Sequence, residues 1–347
     1  MSDVRRDPLE QRWVVIAPER ARRPQASSLP PLRPAAASRC PFCPGHEEQT
    51  RPEIMTVQDP GRNQWQIRVV PNYYPMLTVE AQGDSQAHGP YDWMPGVGAQ
   101  EVVIETEDHC REFADLSLDQ ATELLTVWQC RMRDLMQDRR LRQILVFKNR
   151  GEFAGATLEH AHSQVAALPF VPPRHSRRLR GAQDHFQRTK RPLMLDLVRR
   201  ELEEGSRVVN HQDGMLTWAP YASALRYELM VAPDQHQPFF CEAEPAQLRA
   251  AADALRGAIR RLRLGLGDPA YNLMLFAEPN VHAMGWPDGA WRTLQQDFQW
   301  HFVVAPRLRP QAGLEWGAEA FVNATPPEAA ADHLKRLDVH SWQNAVT

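Results

Sequence analysis

The sequence predicts an α+β fold in which a helix-on-antiparallel-sheet unit occurs twice. Three observations carry this: a weak internal repeat, two well-delimited amphipathic helices, and a histidine-bearing strand that closes each half. The repeat begins with Glu101-Val-Val-Ile-Glu-Thr-Glu-Asp-His109, which has a counterpart in Glu228-Leu-Met-Val-Ala-Pro-Asp-Gln-His236. Downstream, Ile144-Leu-Val-Phe147 matches Asn272-Leu-Met-Leu275, and His160-Ala-His162-Ser-Gln164 matches Gln299-Trp-His301-Phe-Val303. Each half therefore reads strand, helix, strand, long loop, histidine strand. The expected division is an N-terminal unit over residues 1–172 and a degenerate C-terminal copy over residues 173–347.

The helices follow from local chemistry. Ser117 and Gln120 form a capping box, each able to satisfy the other's backbone N–H. Behind them Ala121, Leu124, Leu125, Trp128, Met132 and Leu135 recur at helical spacing. Pro245 opens the second helix, where its missing N–H costs nothing, and Leu248, Ala252, Leu255, Ile259 and Leu262 give it an apolar face. Residues 24–39 and about 81–99 read as loops. The Arg-rich stretch 172–192 reads as the connection between halves.

With 347 residues, 40 basic and 43 acidic side chains, the net charge of -3 lacks the basic excess of a general nucleic-acid binder. No apolar run approaches a membrane span, and the first residues lack the apolar core of a signal peptide. A cytoplasmic location, with neither membrane nor nucleic acid as partner, is the expectation. Five cysteines favour a metal site or buried thiols over a disulfide scaffold.

Two motifs carry chemistry. Cys40-Pro-Phe-Cys43-Pro-Gly45 is a CxxC knuckle whose Pro-Gly turn suits a metal better than a redox pair, which would open a helix. Two thiolates leave a tetrahedral zinc site half built, so histidines from elsewhere are required. His160-Ala-His162-Ser-Gln164 places polar side chains two apart, hence on one face of a strand. The bland alternative is a pair of hydrogen-bonded core histidines.

At these residues the chain resembles the galactose-1-phosphate uridylyltransferase family, the transferase branch of the histidine-triad superfamily. The resemblance runs nearly end to end. It starts at Asp7-Pro8-Leu9 and Arg12-Trp13-Val14-Val15-Ile16-Ala17-Pro18-Glu19-Arg20, and takes in Cys40-Pro-Phe-Cys43, Val69-Val70-Pro71-Asn72 and Asn149-Arg150-Gly151. Its most specific stretch is Gly155-Ala-Thr157-Leu-Glu-His-Ala-His-Ser-Gln164. It ends in Met284-Gly285-Trp286, His301-Phe302 and Thr325-Pro326-Pro327-Glu328.

The resemblance implies that His162 is a nucleophile, attacking the α-phosphorus of UDP-glucose and holding uridylyl until a hexose 1-phosphate such as galactose 1-phosphate takes it. It implies that Ser163 and Gln164 stabilise the phosphoryl oxygens. Arg20, Arg23, Asn72, Asn149 and Thr157 would contact substrate. The alternative for the arginines is a solvated basic turn. It further implies a structural zinc on Cys40, Cys43, His109 and His160, and a homodimer. A second metal site found in some members is expected to be absent, because Pro287 and Gln299 stand where histidines would be needed and His301 alone remains.

Related hydrolases carry a third histidine at the position of Gln164. The stretch Glu315–Asn323 departs from the family's sugar-recognition pattern toward nucleoside-diphosphate-glucose phosphorylases. That leaves an ADP-glucose phosphorylase-like activity as the alternative enzyme, and a zinc-stabilised nucleotide-binding protein as the alternative of another class.

Overall fold

The computed structural model describes residues 2–22, 37–59, 61, 64–83, 85–339 and 342. Strands β1 (Asp3–Arg6) and β2 (Trp13–Ile16) form an N-terminal hairpin. They are followed by β3 (Met55–Gln58), β4 (Trp65–Pro71), a small hairpin of β5 (Gln86–His88) and β6 (Tyr91–Trp93), and β7 (Ala99–Ile104). Helix α1 (Leu118–Leu135) leads to β8 (Gln143–Arg150) and β9 (His162–Leu168). Helices α2 (Pro173–Thr189) and α3 (Leu193–Glu204) open the second half. There β10 (Val208–Gln212), β11 (Met215–Trp218) and β12 (Leu229–Pro233) precede α4 (Pro245–Leu266) and β13 (Tyr271–Phe276). The chain ends with α5 (Leu294–Asp297), β14 (His301–Pro306), α6 (Gly313–Ala318), β15 (Phe321–Asn323) and α7 (Pro327–Lys335).

Ten strands form one antiparallel sheet in the order β10-β11-β12-β14-β13-β8-β9-β7-β4-β3. The order is the same read from either edge once β3, β4, β7, β8 and β9 are matched with β10, β11, β12, β13 and β14. The repeat seen in sequence is thus a two-fold arrangement about the β8–β13 pair, where Phe147 lies opposite Met274. The two halves share this sheet, and β15 returns to pair in parallel with β2.

The caps explain where the long helices start. Gln120 N–H donates to Ser117 Oγ at 3.1 Å, and Ser117 N–H to Gln120 Oε1 at 3.1 Å. Glu244 N–H likewise donates to Gln247 Oε1 at 2.8 Å at the head of α4. Both helices bury their apolar stripes on one face of the sheet, around Trp128, Leu255, Ile259, Trp300 and Phe302.

Three stretches differ from expectation. Residues 81–99 hold the β5–β6 hairpin, turned at Gly89 with φ +60°, a backbone angle glycine adopts without steric cost. The connection after Pro172 is helical, with Pro173 tolerated because it sits at the first turn. The loop expected over residues 24–39 lies largely outside the described residues, apart from a short 3-10 helix at Ala37–Arg39.

Candidate functional site

The opposite face of the sheet carries the chemistry. Successive side chains of β9 alternate, so His162 and Gln164 project to that face and Ser163 to the helices. Ser163 is fully buried and its Oγ accepts from Trp128 Nε1–H at 2.8 Å. This corrects the expectation that Ser163 meets the phosphoryl oxygens: its position between two site residues sends it into the core.

His162 Nδ1–H donates to its neighbour's carbonyl, His160 O, at 2.8 Å. That bond fixes the tautomer and leaves the Nε2 lone pair unspent. Burial, its main cause, lowers the His162 pKa to about 4, so the ring is neutral at pH 7. His162 is 8% exposed and His160 0%, so of the two imidazoles His162 alone reaches the surface. Its backbone is also held from below: Lys148, buried on the helix side, donates to His162 O at 3.4 Å and to Glu105 at 2.9 Å. Sequence reasoning missed this ion pair, because Lys148 and Glu105 become neighbours only through strand register.

Cys40, Cys43, His109 and His160 converge, their ligand atoms all within 4.8 Å of one another. Cys43 Sγ lies 3.3 Å from His109 Nδ1 and 3.6 Å from His160 Nδ1. Cys40 Sγ lies 3.7 Å from His160 Nδ1. Tetrahedral zinc with bonds of about 2.0–2.3 Å needs edges of about 3.3–3.8 Å, so these three spacings suit such an ion. His160 Nε2–H donates to Thr106 O at 2.7 Å, the outer bond that turns Nδ1 toward a metal. The donor set is therefore compatible with a structural metal such as zinc. Phe42, inside the knuckle, meets the His162 ring edge-on with centroids 5.4 Å apart. The Cys40–Cys43 turn thus forms a wall of the His162 site. Cys110 is exposed, Cys130 half-buried and Cys241 buried.

The structure also brings Gln164 and Asn149 to this face, each paired with a second amide: Gln100 donates to Gln164 and Asn272 to Asn149, both at 2.8 Å. Asn72 stands at the end of β4, its Oδ1 accepting from Tyr74 N–H and its own N–H donating to Gln100 O. Thr157 is exposed on the loop before β9 and no hydrogen bond joins it to these residues among those described. Arg20 is half-buried in the 3-10 helix Pro18–Arg22, and its Nε has no hydrogen-bond partner among the described residues. Arg23 lies outside the described residues.

The matching position of the second half is built differently. His301 is buried, stacked on Phe276 at 5.2 Å, and its Nε2 meets the Arg178 guanidinium. Glu10 binds the same guanidinium. Gln299 is buried and donates to Pro233 O, while Pro287 is exposed on the β13–β14 loop. A guanidinium therefore stands against His301 on the side a metal would approach.

Burial, and after it the Arg178 charge, holds His301 well below the usual imidazole range. Burial likewise takes His175 to about 3. Folding selects the neutral rings, so below pH about 6.5 the unfolded chain takes up protons that the folded chain refuses. Stability should then fall by up to about 1.4 kcal/mol per pH unit for each such group. The expected result is a urea midpoint that drops from pH 7 to pH 5, with a shallower slope in His301→Asn. An unchanged slope in a folded variant would contradict it.

The sheet and its histidine strand define a class, the duplicated histidine-triad fold. Comparison with known proteins agrees. Residues 1–172 match the profile described as "Galactose-1-phosphate uridyl transferase, N-terminal domain". An ADP-glucose phosphorylase of Arabidopsis thaliana is 30% identical over 342 residues, covering 97% of this chain and 93% of the relative. A galactose-1-phosphate uridylyltransferase of Thermotoga maritima is 26% identical over 98% of this chain and 99% of its own. The crystal structure of an ADP-glucose phosphorylase from Arabidopsis thaliana with bound ADP-glucose superposes with a TM-score of 0.81 at 26% identity, covering 97% of this chain and 99% of that one. The chain belongs to the galactose-1-phosphate uridylyltransferase family.

Proposed function

We propose that the chain is a nucleotidyltransferase working through a covalent nucleotidyl-His162. His162 Nε2 attacks the α-phosphorus of UDP-glucose, an N–P bond forms, and the P–O bond to glucose 1-phosphate breaks. A phosphate oxygen of galactose 1-phosphate then attacks the same phosphorus and returns the electron pair to Nε2, releasing UDP-galactose. Splitting one displacement into two is the gain of covalent catalysis. Both attacking groups are ready without a general base, one as a neutral imidazole and the other as an anion.

The observation that carries the reading is the 2.8 Å bond from His162 Nδ1 to His160 O, which leaves Nε2 as the nucleophilic atom. Gln164 and Asn149 supply neutral N–H donors for the phosphoryl oxygens. Arg20, Arg23, Asn72 and Thr157 complete the proposed substrate contacts, and Arg can grip phosphate with its fork. The metal is proposed to be zinc, structural and single, with four protein ligands leaving no open position. Arg178 takes the place of a second cation.

A second reading shares His162 but uses ADP-glucose and inorganic phosphate. The 30% identity to an ADP-glucose phosphorylase and the departure at Glu315–Asn323 favour it. A radiolabel exchange panel separates the two. The first reading expects exchange between UDP-glucose and hexose 1-phosphates. The second expects phosphate-dependent release of glucose 1-phosphate from ADP-glucose, and finding that alone would replace the first.

A further inference from the structure

Two amide pairs flank His162, and the backbone fixes the direction of both. In the first, Met76 N–H donates to Gln100 Oε1 at 3.0 Å. A backbone N–H can only donate, so the atom it meets is the oxygen of Gln100 and the other is its nitrogen. That nitrogen donates to Gln164 Oε1 at 2.8 Å. Gln164 has then spent its oxygen, and its NH2 group is left toward the site.

The second pair repeats the logic with a carbonyl. Asn272 Nδ2 donates to Ala154 O at 2.9 Å and to Asn149 Oδ1 at 2.8 Å. Ala154 O can only accept, so Asn272 presents nitrogen, uses both its N–H bonds, and leaves the Asn149 NH2 uncommitted among the described residues. Gln100 shares the face of Gln164 through the β7–β9 register, and Asn272 stands opposite Asn149 in the β8–β13 register.

We propose that Gln100 and Asn272 are positioning residues that lock Gln164 and Asn149 with their NH2 groups turned to the transferring phosphate. This rests on the nucleotidyl-transfer reading above. An amide free to rotate would present oxygen to an anionic phosphoryl oxygen half the time, and a preset donor avoids that reorganisation. The inference also gives the second repeat a part in the first repeat's site, because Asn272 belongs to β13. Gln100 further ties the site to the loop after β4, since its backbone carbonyl accepts from Asn72 N–H at 2.8 Å.

Gln100→Glu tests the lock with little change of shape. A carboxylate still accepts from Met76 N–H but cannot donate, so it draws the Gln164 NH2 toward itself and turns the oxygen to the phosphate. Nucleotidyl-enzyme formation should slow by about 100-fold, the scale for losing one oxyanion donor, with donor-sugar KM little changed. In a Gln164→Ala background the same substitution should cost nothing further. An equal loss in both backgrounds would mark Gln100 as merely structural and overturn the proposal.

Neutron diffraction from deuterated crystals reads the amides without any substrate. Deuterons on the Gln164 and Asn149 atoms facing away from Gln100 and Asn272 are expected. Oxygen at those places would overturn the lock whatever the activity. Amides as assigned in a protein that forms no nucleotidyl-enzyme with UDP-glucose or ADP-glucose would instead refute the transfer reading, and with it the role given to the amides.

Discussion

His162→Gly should form no nucleotidyl-enzyme and should lose activity by a factor on the order of 10⁴ or more, as removal of a covalent nucleophile does elsewhere. The expected rescue is specific. The glycine leaves a slot walled by Phe42, with the His160 carbonyl that held Nδ1–H at 2.8 Å still in place. A pre-formed nucleotidyl-imidazole, once protonated on its other ring nitrogen, can fill that slot, donate to the same carbonyl and pass its nucleotide to the acceptor. His160→Gly should not be rescued in this way, because that imidazole faces the cysteine sulfurs and Thr106 O. Equal rescue of both variants would contradict the division of roles.

Loss of the metal should have the second largest effect, and it should fall on the fold. Cys43→Ser removes a ligand that approaches both histidines. Structural zinc is worth about 10–16 kcal/mol in small zinc domains. Forfeiting even a third would cost about 3–5 kcal/mol, a large share of a domain's stability. Metal content and melting temperature should fall together. The surviving folded fraction should still form the adduct at His162, though more slowly as Phe42 loosens. A metal-free variant with unchanged stability would sink the structural assignment.

Much of the fold is legible in the sequence because its signals are local. The Ser117 and Gln120 box and the apolar stripes of α1 and α4 need only helical periodicity, and the repeat needs only order. The candidate metal ligands carry distinctive residue types, so Cys40, Cys43, His109 and His160 could be gathered by resemblance, and the structure brings them together. The outer strands β3, β4, β10 and β11 are missing from the sequence reading: β3, β10 and β11 are only four or five residues long, too short to show a period, and the seven-residue β4 is not part of the repeat that marks the inner strands.

Ser163 packs against Trp128 instead of facing the phosphate, an outcome already implied by the alternation of β9, which sends it away from His162. Gln100 and Asn272 could not be found at all. Each is an ordinary half-buried amide whose meaning comes from a partner on another strand, and pairing register is not written in local sequence.

The central claim is that His162 carries the nucleotide between two displacements. Intact-mass spectrometry after a short incubation with UDP-glucose or ADP-glucose, without acceptor, followed by peptide mapping, tests it directly. The expected result is one added nucleotidyl group on His162, persisting until a hexose phosphate or inorganic phosphate is supplied. Gln164 underlies that persistence, since a neutral amide cannot serve as acid or base for attack by water. A nucleotide found on His160, His301 or a cysteine, or no adduct from an enzyme that still turns over, would contradict the account.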